Sequence, residues 1–157
     1  MPLVLASLKS SFESQWLVPS GGSYPASAQE SGDRFATAVA TWFSAAAAGA
    51  FPCTTAMARK SQLAASAAAA FSTQASVAAG NALALGVALY IVGQQFGAGI
   101  ANIPLAQGAV GPLFGAAFAD LQSGISEKAQ QVATGCLLLA VSTIVVFPPP
   151  LTPLPVS

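Results

Sequence analysis

The sequence predicts a mainly α protein: a helical bundle with a hydrophobic central helix and an extended, proline-rich C-terminal arm. Three observations carry this reading. Apolar residues recur at three- and four-residue steps along most of the chain, Ala and Leu outnumber β-branched residues in its apolar middle, and the closing run is PPPLTPLP. At 157 residues the chain is one ordinary domain, long enough to bury a real core. Its expected organisation is an N-terminal helix over 1–18, a loop over 19–32, a helical core over 33–128, an apolar helix and extended run over 129–147, and a proline-rich arm over 148–157.

The first helix places Leu5, Leu8, Phe12 and Trp16 on one face, with Lys9 and Glu13 four apart on another, Pro2 near its start and Pro19 at its stop. PSGGSYPAS then breaks the chain. Ser27 to Glu30 matches the S-x-x-E capping box, with a second possible start near Gly32 and Asp33. The helix that follows aligns Phe35, Val39, Trp42 and Phe43 and continues through Ala46 to Ala50, where Gly49 and Pro52 end it. A new helix restarts with Thr54 or Thr55 as cap, carries Leu63, Ala67, Ala70 and Phe71, and forms an antiparallel hairpin with the one before.

From Ser61 to Ala119 there is no charged residue. Ser76 to Phe96 reads as a helix that is apolar all round, and Gly97 to Pro112 as irregular chain. A shorter helix runs through Phe114, Phe118 and Leu121, and another opens at Ser126 and Glu127 and ends near Val141. STIVVF is β-branched enough to be extended, and the prolines after it should form polyproline II. AVATWFSAAAAGAF and QLAASAAAAFSTQ share mostly alanine and are not read as a repeat.

Composition narrows function more than motifs do. The chain is 54% hydrophobic and 6% charged, against about 25% charged in ordinary domains. Such a chain is expected either to sit in lipid or to bury surface against other chains. Net charge is zero and no basic stripe is present, which argues against nucleic acid as a partner. No histidine is present, Cys53 and Cys136 stand alone, and the five carboxylates are scattered. No catalytic, cofactor-binding or metal-binding residue is therefore assigned, and the chain is read as a non-enzyme. GAGIAN at Gly97 to Asn102 lacks the third glycine of a dinucleotide fingerprint and reads as a turn. Gly93-x-x-x-Gly97 and Gly111-x-x-x-Gly115 read as sites of close packing. The N-terminus has no basic run ahead of an apolar one and does not read as a secretion signal.

Membrane insertion is the rival reading. Val77 to Phe96 is 20 residues without charge, enough to span about 30 Å. Val132 to Phe147 has 16 residues, rises only about 24 Å as a helix, and ends β-branched. A small holin or pore protein of the bacterial inner membrane is the alternative.

In texture and order the chain resembles the small, Ala-rich virion structural proteins of tailed bacteriophages. The resemblance is carried by SLKSSFES, FATAVATWFSAAAAGAF, RKSQLAASAAAAF, FGAAFADL and STIVVFPPP. It implies a virion subunit of a tail or baseplate, assembled in the host cytoplasm and partnered by its own copies and other virion proteins, with no cofactor. A symmetric assembly buries apolar faces between copies. The expected interface is Phe96, Phe114, Phe118, Val145, Val146, Phe147, Pro148, Pro149, Pro150, Leu151 and Leu154, with the middle segment between protomers or inside a tube and the arm laid on a neighbour.

Overall fold

The computed structural model describes residues 3–17 and 22–157. The expected roles of Pro2 and Pro19 fall outside those residues. The fold is mainly helical. α1 (Leu5–Ser11) passes into a π-helical turn (Phe12–Trp16), followed by α2 (Ala28–Phe43), β1 (Ala47–Ala48), β2 (Phe51–Pro52), α3 (Lys60–Phe71) and α4 (Ser76–Ile91). Then come β3 (Gln95–Phe96), β4 (Gly99–Ala101), α5 (Gln107–Ala119), α6 (Ile125–Val141), β5 (Ile144–Val146) and β6 (Leu154–Pro155).

This order is an internal repeat that the sequence reading missed. α4 lies 48 residues after α2 at both ends, and Gly32, Ala36, Val39 and Ala40 recur as Gly80, Ala84, Val87 and Ala88. Moving a further 49 residues along carries the buried positions Gly80, Leu83, Ala84, Gly86, Val87, Tyr90 and Ile91 onto Ala129, Val132, Ala133, Gly135, Cys136, Leu139 and Ala140 of α6. Each of these helices leads into a β-hairpin. The first unit is α2, β1, β2 and α3; the second is α4, β3, β4 and α5; the third is α6, β5 and β6.

The helix that completes the third unit comes from the start of the chain. α1 and its π turn pack against α6 and α2, closing the helices into a ring in which α3 joins α2 to α4 and α5 joins α4 to α6. Their inward residues correspond: Leu8, Phe12 and Trp16 repeat the spacing of Leu63, Ala67 and Phe71 and of Val110, Phe114 and Phe118.

The hairpins form a second ring at one end of the helices. Within the units, the backbone N–H of Cys53 donates to Ala46 O (2.8 Å), that of Ala101 to Gln94 O (2.9 Å) and that of Val156 to Thr143 O (3.1 Å). Between the units, Thr54 N–H donates to Gln95 O, Asn102 N–H to Ile144 O and Ser157 N–H to Ala47 O, each at 2.9 Å. Six short strands are thereby joined all the way round, with Ile100 opposite Val146 and Val145 opposite Leu154 in the four-stranded sheet. Backbone groups that short strands would leave open are paired.

Several local expectations are corrected. Ser27 does cap α2, accepting from Glu30 N–H (3.1 Å) while Glu30 accepts from Ala26 N–H (2.8 Å), so the helix begins at Ala28 and not at 33. It stops at Phe43 because Ala46 to Cys53 turns back as a hairpin. Gly49 and Gly97, both at positive φ, open the two-residue turns Gly49-Ala50 and Gly97-Ala98. Thr54 and Thr55 do not cap α3; Arg59 precedes it. α5 runs through Pro112, which removes one helical donor, and the carbonyl four residues back belongs to an exposed glycine, Gly108.

Core packing explains why so few charges suffice. The accessible area is 7293 Å², close to the roughly 7200 Å² that scaling gives for a monomer of this mass. The chain consumes most of its own hydrophobicity. α4 is buried along Leu83, Val87, Tyr90 and Ile91 by neighbours within the same chain, so this face of the middle segment is not available to lie between protomers. Gly111 and Gly115 let α5 approach α4 at Gly80, whereas Gly93 and Gly97 serve turns and not helix contact. The C-terminal segment is corrected as well. Pro148 to Pro153 is a continuous exposed run, and Leu154 to Ser157 returns into the strand ring of its own chain.

Candidate interaction surface

The ring sorts the predicted interface residues. Phe96, Phe114 and Val145 are fully buried and Phe147 is nearly so, all in the chain's own core. Phe118 and Leu154 are partly buried against that core. The first four cannot present themselves to a neighbour without the fold opening, and Phe118 and Leu154 offer only part of their surface. Val146, Pro148, Pro149, Pro150 and Leu151 are exposed and remain at the surface.

The missed surface becomes visible when the three units are compared position by position. The outward positions Thr37 and Thr41 of α2 are replaced by Leu85 and Leu89 on α4, and by Thr134 and Leu138 on α6. Ser44 corresponds to Val92 and Val141, Pro52 to Ile100, and Thr55 to Ile103. Along α2 the first unit therefore turns a polar face to solvent, backed by the Lys60 to Asp33 ion pair at 3.4 Å, while Met57, the counterpart of Leu105, is exposed beyond it. The second unit turns apolar side chains outward at these places, and the third does so at Leu138 and Val141. Leu85, Leu89, Ile100, Ile103, Leu105, Leu138, Val141 and Val146 are all more than two-fifths exposed.

Backbone geometry gathers part of this set at the seam between the second and third units. Ile100 and Val146 are cross-strand partners, so their side chains leave the same face of the sheet. Leu105 N–H donates to Ser142 O (3.3 Å) and Ala106 N–H to Ser142 Oγ (3.1 Å), which sets Leu105 beside the end of α6, where Val141 and Leu138 are exposed. Arg59 fixes the end of α4 by donating to Leu89 O (3.1 Å) and Val92 O. Its charge is held at a helix C-terminus, where it is favourable.

Polar chemistry inside the fold is structural. Gln94 and Thr143 are buried at equivalent positions. Gln94 donates from Nε2 to Tyr90 O (3.0 Å) and accepts at Oε1 from Thr55 Oγ1 (2.6 Å), and Thr143 Oγ1 donates to Leu139 O (2.8 Å). Tyr90 donates to Ala56 O (3.0 Å), and burial pushes its phenol well above its ordinary range. Burial also pushes the Cys53 and Cys136 thiols up, so neither carries thiolate character at neutral pH. Among the described residues no group of His, Cys, Asp and Glu is placed to hold a metal ion, and no helix is long and apolar enough to cross a membrane. The helix of the span considered above, α4, stops at Ile91 because Val92 and Gly93 turn the chain into the hairpin.

Comparisons with known protein families, with curated proteins and with solved structures find no match for this chain.

Proposed function

We propose that the chain is a non-enzymatic structural subunit of a tailed-phage particle, in the tail or baseplate, that assembles with its own copies and with other virion proteins. The observation that supports this reading is the one-sided surface. Three equivalent units carry different exteriors: where the first has Thr37, Thr41 and Thr55, the second turns out Leu85, Leu89 and Ile103, and the third turns out Leu138 beside Thr134, with Val141 in place of Ser44. Apolar side chains held outward on a fold that already has a full core are the usual signature of burial against another protein.

The proposed role is packing. The seam of Ile100, Val146, Leu105 and Val141 would be covered in the assembly, while the polar face of α2 stays wet. The test is recovery from gradient-purified, detergent-washed particles, measured by quantitative mass spectrometry of the chain against the major tail protein. Stoichiometric recovery supports the proposal. Recovery only in the detergent-extracted membrane fraction overturns it in favour of the holin or pore reading.

A further inference from the structure

We propose that a cup at the end of the helices opposite the strand ring binds a small aromatic anion. This goes beyond the packing role and does not depend on it. At that end Trp16, Phe71 and Phe118 occupy the same position in the three units. Trp16 stacks on Phe71 with ring centres 5.3 Å apart and planes 22° apart, and Phe118 meets Phe71 edge-on at 6.1 Å. The three rings form one wall of a cavity of about 420 Å³, within the range of small-molecule sites.

The cavity exists because the units differ in size at equivalent points. In the first unit Phe35 fills the space beside the rings, packing edge-on against Trp16 (5.1 Å) and Phe71 (5.8 Å). Its counterpart in the third unit is Val132, which lines the cup with Ala117 and leaves a hollow. Trp16 Nε1 donates to Ser31 Oγ at 2.8 Å, so the polar edge of the indole is satisfied by the protein. What remains open is apolar surface of the half-buried Phe71 and Phe118 rings with the margin of Trp16, suited to an aromatic body.

Charge sets the sign of the ligand. Ser31, Ala79 and Lys128 are equivalent residues on α2, α4 and α6, all three line the cup, and Lys128 is the one charged residue among the lining side chains. Lys128 makes no ion pair among the described residues. A carboxylate that senses it, Asp120, is engaged by Ser123 Oγ and by the N–H groups of Gln122 and Ser123. α4 also begins at this rim, at Ser76. Its preceding Ala75 offers no capping side chain, whereas α2 is capped by Ser27, and Glu127 of α6 accepts from Gly124 N–H. A planar body against the rings and an anionic head toward Lys128 satisfies both halves of the site.

The test uses 1-naphthoate as the probe, with 1-naphthalenemethanol as its neutral counterpart. The protein has two tryptophans, so the two indole N–H signals in a nitrogen-proton correlation spectrum report separately on the cup and on Trp42, which is buried elsewhere with its Nε1 donating to Val4 O. Naphthoate should shift the Trp16 signal saturably below about 1 mM and leave that of Trp42 in place. Lys128→Met should weaken naphthoate about tenfold and naphthalenemethanol little, and Ala117→Phe should abolish binding of both. Lys9→Met, outside the lining of the cup, should change nothing. The proposal is overturned if neither probe saturates, if both indole signals move together, or if Lys128→Met binds naphthoate as tightly as the parent.

Discussion

Replacing Gly80 by alanine adds one methyl group where the backbones of α4 and α5 lie against each other. A Cβ built there would lie 2.2 Å from Gly115 N, 2.6 Å from Gly111 O and 2.6 Å from Gly115 Cα. All three are backbone atoms, so no side chain can swing away, and α4 and α5 must part by roughly an ångström along a shared face. Overpacking of this kind costs about 3 kcal/mol, at the upper end of its usual range. The better helix propensity of alanine offsets about 1 kcal/mol, leaving a net loss of about 2 kcal/mol. For a domain of this size that lowers Tm by about 4–8 °C. Gly108→Ala is the matched control: it also lies in a helix, with nothing within 4 Å of its Cβ, and should raise stability by about 0.5 kcal/mol. Thermal unfolding followed by circular dichroism at 222 nm compares the two. If Gly80→Ala melts at or above the parent, or shifts as Gly108→Ala does, the packing of α4 on α5 has been misjudged.

Removing Leu154 to Ser157 takes away the strand and the Ser157 to Ala47 bonds that close the ring; Tm should fall by at least about 6 °C, and light scattering should detect association through the opened edges. A truncated chain that melts as a monomer at the parent Tm refutes the closed ring. Neither Cys53 nor Cys136 should react with a thiol reagent such as DTNB under native conditions, and both should react in denaturant; rapid native labelling of Cys136 would contradict its burial. Hydrogen bonds hold three carboxyls below their ordinary range: Glu13 by Ser126 and then Lys9, Glu30 by Ala26 N–H and then Arg34, and Asp120 by Ser123 and the N–H groups beside it. Their contribution is complete above the ordinary carboxylate range, about 4, and is lost as pH falls through the lowered values. Stability measured by urea should therefore be level from neutral pH down to that range and decline only below it; a decline that is already complete by pH 6 would point to other groups.

How much of this was legible can be judged from individual residues. The 3.6-residue period exposed the helices, and Ser27 with Glu30 marked the start of α2, because capping chemistry is local and has a fixed spacing. The hairpins were not legible. Strands of two or three residues are too short to show alternation, and alanine-rich Ala46 to Ala50 read as more helix. The repeat was hidden because its units keep size and burial more than identity: Trp42 answers Tyr90 and Leu139, and Ala48 answers Phe96 and Val145. One signal was available, the recurrence of Gly-Ala at Gly49 and Gly97 and of glycine at Gly32 and Gly80, each pair separated by the same interval. The interface reading went astray at Phe96, Phe114, Val145 and Phe147 for a related reason. Apolar residues in glycine-rich or C-terminal chain look unpartnered until a closed ring supplies their partners.

The route of the chain around that ring dictates an order of events during synthesis. α1 belongs structurally with α6, yet about 110 residues separate Ser11 from Ile125. At the usual elongation rate of about 5–20 residues per second, α1 waits roughly 6–20 s before the helix it pairs with exists. The first and second units can close in the meantime, since each is contiguous. The amphipathic face of Leu8, Phe12 and Trp16 is then the part of the nascent chain in most need of temporary cover, and β6, made after the other five strands, completes the ring.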